Sequence, residues 1–280
     1  MSFKDILVHI DSSKHCGTRL QVAAALARGF GAHLTGLYVM APMNVSPFLA
    51  DQFRPEALDE MHARAAQQRD RARELFDDIT SRRQPPADCE WIEVRGDPAE
   101  AVTMYARYAD FAVLGQVDPA EVGHGARFDL PEHVVTAAGR PILMVPYAGT
   151  FESVGERVLV AWNSSAQAAR AIHDALPLLA RAKRVLIMAV HREAGGQGQD
   201  DVPGADIARH LVRHGVAAEA SPVDAGGIEV GDLLLSRAAD EGADLLVMGI
   251  YGHSRLRELV LGGVSRHLFD HMTIPVFMAH

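Results

Sequence analysis

The chain has 280 residues, 48% of them hydrophobic and 22% charged, which is ordinary globular usage with apolar material for about two domain cores and no compositional case for disorder. Lys and Arg number 27 against 36 Asp and Glu, a net charge of −9, which argues against a broadly basic surface for nucleic acid or anionic membrane. The only cysteines, Cys16 and Cys89, are too few for a disulfide scaffold and lack zinc-site spacing, so a reducing, cytoplasmic address is expected. Apolar runs fall far short of the ~20 residues of a membrane span, and the first residues lack the uncharged core of a signal peptide.

Short β-branched or Leu-rich runs alternate with longer Ala, Arg and Leu stretches, which predicts an α/β class with parallel strands joined by helices. A strand at about Asp5–Ile10 ends in Asp11-Ser12-Ser13, a helix runs to about Gly31, and a second strand covers about His33–Met40. From Pro55 to Arg83 the residues Leu58, Met61, Ala65, Ala72, Leu75 and Ile79 step by three, four or seven, which places them on one face of a helix covering the sheet. A strand near Cys89–Val94, a helix from about Pro98 and strands Phe111–Leu114 and Ile142–Pro146 complete a five-stranded half. The plan then begins again. Val158-Leu-Val-Ala-Trp162 mirrors Ile6-Leu-Val-His-Ile10, and Asn163-Ser164-Ser165 falls where Asp11-Ser12-Ser13 fell, at an offset of 152. Farther on, Ala243-Asp-Leu-Leu-Val-Met-Gly249 matches Ala109-Asp-Phe-Ala-Val-Leu-Gly115 at an offset of 134. A period this long means a duplicated domain rather than a solenoid. Residues 1–148 and 156–280 are the expected domains, with the linker at Pro146–Gly155, where Gly and Pro interrupt the strand pattern. Neither half is a basic arm, with 15 Lys and Arg against 20 Asp and Glu up to residue 150 and 12 against 16 beyond it.

The stretch from Met248 to His267 carries Gly249, Gly252, Gly262, Gly263 and Ser265 between a strand end and a helix start. Glycine lets the backbone turn and approach a ligand, and a helix start offers unpaired amides and the positive end of the helix dipole to phosphate oxygens. Asn163 and Val190, at the ends of this half's first two strands, border the same crevice, the usual binding place of open α/β sheets. Taken singly, these glycines also read as turn and cap residues.

The spacing G-x2-G-x9-G followed by Ser265, in this order of elements, resembles the nucleotide signature of the universal stress protein family, across nearly the whole chain as two tandem domains. The resemblance implies two open parallel five-stranded sheets, Rossmann-like with strand order 3-2-1-4-5 and helices on both faces, and ATP, with or without Mg, as the cofactor. It makes Gly249, Gly252, Gly262 and Ser265 phosphate contacts and Val190 the backbone that reads adenine. The family's ribose-binding acid is Asp11 in the first half but Asn163 in the second, and Gly263 stands where a hydroxyl residue is usual. Final strands Ile142–Pro146 and Val276–Ala279 would join as an internal pseudo-dimer, with a further homo-dimer open. No nucleic-acid or membrane partner is expected.

The first half departs from the signature: Asp118, Phe128, Asp129 and Pro131 stand where Gly252, Gly262, Gly263 and Ser265 stand. Carboxylates and a Phe in a phosphate cradle bring repulsion and bulk, so this half is expected not to bind ATP. Gly123 and Gly125 read as turn residues. His253, His267, His271 and His280 lack a completing ligand set and read as scattered histidines rather than a metal centre. Arg255 and Arg257 fit a phosphate clamp or solvated loop charges equally. Without a nucleophile elbow, a Walker Lys or paired carboxylates, the reading is a cytoplasmic stress-response protein sensing an adenine nucleotide in its second domain, with at most slow ATP hydrolysis. The rivals are a nucleotide hydrolase or transferase of the same architecture and an interaction module that has lost its nucleotide.

Overall fold

A computed structural model describes residues 2–42, 55–81, 88–121, 130–191, 202, 204–224, 226–250 and 263–280. Strand β1 (Asp5–Ile10) is buried at every position after its first, as expected of an inner parallel strand covered on both faces. Helix α1 (Cys16–Phe30) follows and stops at Gly31, whose φ of +61° takes the left-handed cap conformation that glycine adopts without a Cβ clash. Strand β2 (His33–Met40), helix α2 (Pro55–Ser81), strand β3 (Cys89–Arg95), helix α3 (Pro98–Ala106), strand β4 (Phe111–Gly115), helix α4 (Leu130–Ala137) and strand β5 (Ile142–Val145) complete the first half. The second half repeats this order with strand β6 (Arg157–Trp162), helix α5 (Ala166–Leu179), strand β7 (Arg184–His191), helix α6 (Ala205–Arg213), strand β8 (Ala218–Asp224), helix α7 (Val230–Asp240), strand β9 (Leu245–Gly249), helix α8 (Gly263–His271) and strand β10 (Val276–Ala279).

Each half has the strand order 3-2-1-4-5. The two five-stranded sheets join at their final strands, because β5 and β10 pair antiparallel, with Met144 opposite Val276, Leu143 opposite Phe277 and Ile142 opposite Met278. The result is a single sheet in the order β3-β2-β1-β4-β5-β10-β9-β6-β7-β8. Both final strands are buried at every position, so pairing them satisfies backbone groups that an open edge would leave unbonded. Phe111 meets Phe277 edge to face at 5.8 Å across the seam, and the Arg181 guanidinium lies 4.0 Å over the Phe30 ring while Nη1 donates to the Gly29 carbonyl at 2.6 Å.

Side chains alternate between the two faces, as the pleat requires. One core holds Ile6, Val8, Phe111 and Leu143 with α1 and α2, and continues through Val158, Val160 and Phe277 under α5 and α6. The opposite core holds Leu7, Ala112 and Met144 with α3 and α4 and continues through Leu159, Met248 and Met278 under α7 and α8. The duplication reaches single hydrogen bonds. The Asp110 carboxylate accepts the Lys4 and Asp5 amides, and Asp244, at the same offset, accepts those of Gly155, Glu156 and Arg157.

The stripe read along α2 is only half right. Ala72 and Ile79 are buried with Phe76, but Met61 is 37% exposed and Ala65 is exposed too. A helix of this length runs ~40 Å, whereas the edge strand β3 that it covers spans only ~23 Å, so its first turns project beyond the sheet.

Candidate functional site

Strands β1 and β4 lie side by side although β2 and β3 come between them in the chain, and the chain leaves their carboxyl ends at Asp11 and Gln116. The crevice between them is filled from within. Arg19 lies on the buried stripe of α1 with Cys16, Ala23 and Ala27 and is 4% exposed. Its Nε donates to the His9 carbonyl at 2.8 Å, and its Nη2 stands 2.9 Å from Asp11 Oδ1, off the hydrogen-bond axis. Its Nη1 occupies the space that a Cβ on Gly115 would need. Asp11 Oδ1 also accepts the Ser13 amide at 3.0 Å and hydroxyl at 2.6 Å.

The electrostatics of this cluster follow from burial against charge. Burial alone would raise the Asp11 carboxyl, but the Arg19 guanidinium, His9 and Ser13 outweigh it and hold the group well below the usual carboxylate range. Burial pushes the His9 imidazole down to about 4, so it is neutral at physiological pH. Burial also raises the Cys16 thiol, which makes it an inert thiol rather than a nucleophile.

The mouth of the same crevice is tied by Asp118. Its Oδ2 meets Lys14 Nζ at 2.8 Å and His15 Nε2 at 2.9 Å, and its Oδ1 accepts the Ala120 amide at 2.9 Å. The Lys14 and His15 contacts, with the Ala120 amide, hold its carboxyl well below the usual range. The expectation that Asp118 repels anions is therefore corrected: a carboxylate engaged by Lys14 and His15 has its charge balanced locally. Asp118 obstructs by stitching the loop after β4 to the loop after β1. Pro131 is buried in the first turn of α4, while Phe128, Asp129, Gly123 and Gly125 lie outside the described residues.

The second half is arranged differently at matching positions. Ala171 stands where Arg19 stands, and a buried methyl replaces the guanidinium. Gly249 is glycine for a reason the sequence did not give: a Cβ there would collide with the Ala168 nitrogen and the Gln167 carbonyl carbon. The first turn of α5 lies directly against the end of β9. Ser165 caps that helix, its hydroxyl accepting the Ala168 amide at 3.1 Å, as the residue type favours. Asn163 is exposed at the end of β6 and its Oδ1 accepts the Ser165 amide at 3.2 Å. Between them Ser164 has a φ of +59°, a left-handed conformation that costs a non-glycine residue roughly 1 kcal/mol and concentrates at functional sites.

Strand β6 pairs with β7 on one side and β9 on the other, so Asn163, Val190 and Gly249 come together at three adjacent carboxyl ends. Gly263 opens α8 and is exposed, with nothing within 4 Å of where a Cβ would stand, whereas Ser265, two residues on, is 4% exposed. Gly252, Gly262, His253, Arg255 and Arg257 lie outside the described residues. His267 and His271 stack at 4.5 Å, and the His267 ring packs against Gly231, with Nε2 3.0 Å from Asp232. Among the described residues there is no group of three or more His, Cys, Asp or Glu that could hold a metal ion, and no helix is long and apolar enough to cross a membrane.

The residue that sequence reasoning missed is Arg19. Its signal was present: an arginine three residues after Cys16 and four before Ala23, on the apolar stripe of its helix, is a charge placed to be buried and must find a partner.

The description "Universal stress protein family" matches residues 2–146 and 155–280. No curated protein matches the chain. Among solved structures, a universal stress protein from Archaeoglobus fulgidus DSM 4304 superposes with a TM-score of 0.73 at 17% identity, covering 98% of this chain and 95% of that one. A putative universal stress protein from Pseudomonas aeruginosa UCBPP-PA14 superposes at 0.60 and 16% identity, covering 99% and 93%. A functionally unknown protein from Pseudomonas aeruginosa PAO1 does so at 0.60 and 14%, covering 99% and 92%. With one family description matched twice, over strands that repeat one order in both halves, this chain belongs to the universal stress protein family as a tandem-domain member.

Proposed function

We propose that the second domain, residues 156–280, binds ATP or a related adenine nucleotide, and that the protein acts in the cytoplasm as a nucleotide-dependent regulator of a stress response. The first domain, residues 1–148, is its structural partner. The observation that carries this reading is the exchange of Arg19 for Ala171. In one half a buried guanidinium fills the space between strand ends and ties the residue at the ribose position; in the other that residue, Asn163, is exposed beside a strained Ser164.

The residues present fit the ligand. Asn163 offers an amide to a ribose hydroxyl, the backbone at Val190 offers a carbonyl and an amide to adenine, and the start of α8 at Gly263 offers amides to phosphate without a Cβ in the way. A Mg ion, where used, would be held chiefly by the phosphates, because the described residues supply no carboxylate cluster. Binding would shift the surface shown to a partner.

Calorimetric titration of ATP into the protein tests the reading. It predicts saturable binding at one site per chain without turnover, abolished in Gly252→Val while the far-UV spectrum is unchanged. Equal affinity in Gly252→Val would overturn the cradle, and nucleotide release would favour the hydrolase.

A further inference from the structure

Helix α8, whose first turn is the proposed phosphate end, is fastened at its other end by the first domain. Gln116, the residue after β4, is 7% exposed and reaches across the seam, its Nε2 donating to the carbonyls of Phe269 at 2.9 Å and Asp270 at 3.1 Å. These are two of the last four carbonyls of α8, which have no partner within a helix. The side chain cannot swing away cheaply. Its Oε1 accepts the Tyr147 amide at 3.2 Å, and the Gln116 backbone N–H donates to the Val145 carbonyl at 2.8 Å.

Among the described residues the fastening runs one way. At the matching position of the second half stands Ile250, fully buried, which has no group to offer the carbonyls of α4. That helix is served from its own half, by Arg107 Nη2 on the Ala137 carbonyl at 3.2 Å. Of the two equivalent helices, the one that begins Gly263-Val-Ser265 is, among the described residues, the one anchored from the neighbouring domain.

We infer that Gln116 is a positioning residue for nucleotide binding, through which the first domain holds α8 in the conformation that receives phosphate. The inference rests on the proposed nucleotide site. A helix of nine residues is short enough that fraying at one end is felt at the other. A ligand that needs the intact helix binds more weakly by the fraction of time the helix is incomplete. The first domain, with its own crevice filled, thereby sets the affinity of the second.

The test compares wild type, Gln116→Leu and Gln116→Glu in the full chain, with ATP and adenosine titrations and hydrogen exchange across α8. Two lost hydrogen bonds predict that Gln116→Leu weakens ATP about tenfold, with adenosine affinity unchanged, because only the phosphates meet α8. Gln116→Glu, which turns a carboxylate toward two carbonyl oxygens, should weaken ATP further. Unchanged ATP affinity, or an equal loss for ATP and adenosine, overturns the inference, since general loosening would move both ligands together. If wild type binds neither ligand, the nucleotide reading has failed. Exchange then decides the rest: faster exchange of the last turn of α8 in Gln116→Leu upholds the anchor, and identical exchange removes it.

Discussion

The two halves share a strand order, a pair of backbone-capping aspartates and a terminal strand, yet they use the space above their central strands in opposite ways. In the first half, Arg19 reaches from α1 over the strand ends, takes the His9 carbonyl and Asp11, and stands where a side chain at Gly115 would be. In the second, Ala171 has nothing to extend, and the first turn of α5 approaches until its backbone meets Gly249. A duplicated fold can thus keep its scaffold while a buried charge occupies the strand ends of one copy and helix backbone closes on those of the other.

The two matching glycines should separate the halves by the largest effect. Gly249→Ala drives a methyl into helix backbone, which cannot yield, and should cost more than about 3 kcal/mol, beyond the usual range for overpacking. Gly115→Ala meets the end of an arginine side chain and should cost about half as much. Equal losses in urea unfolding would show that the two crevices are not built differently. Removing the occupant comes next. Arg19→Ala strands Asp11 and leaves a void, and should destabilise by about 3 kcal/mol, discounted from a fully buried pair because Asp11 is a third exposed. The reverse placement, Ala171→Arg, should abolish ATP binding if the second crevice is the ligand site.

A pH titration sharpens the same contrast. The folded His9 pKa, about 4, lies below its ordinary value of 6.5, so the unfolded chain takes the proton first as pH falls. The contribution is present above pH 6.5 and is lost between there and about 4, amounting to about 3 kcal/mol. His9→Leu should remove that part of the acid lability. Asp11, whose carboxyl is depressed, adds a loss only below its ordinary range near pH 4. An identical pH profile in His9→Leu would contradict the burial of that ring. The smallest effect is local: Ser165→Ala removes the cap of α5 and should cost about 1 kcal/mol, with no counterpart in α1, whose first residue is preceded by His15 without a side-chain cap.

Much of this was legible in the sequence. The repeat at 152 and 134 gave the duplication, the apolar runs gave parallel strands, and the glycine spacing gave the family. The joining of both sheets through β5 and β10 followed from the resemblance, though its product, one continuous sheet, did not. The crevice was less legible, because its contents depend on which side chains reach over the strand ends. Asp118 looked like a repelling charge until Lys14 and His15 were found on it. Gly249 is also fixed by a packing contact that the sequence does not show, with the first turn of a helix far back in the chain. Gln116 carried no local signal, since its partners lie more than 150 residues ahead.

Crystals grown with saturating ATP would show which domain holds the nucleotide. One nucleotide per chain, seated between Asn163 and the start of α8 with Arg19 still on Asp11, is the expected result. A nucleotide in the first domain, with Arg19 displaced and the second domain empty, would contradict it.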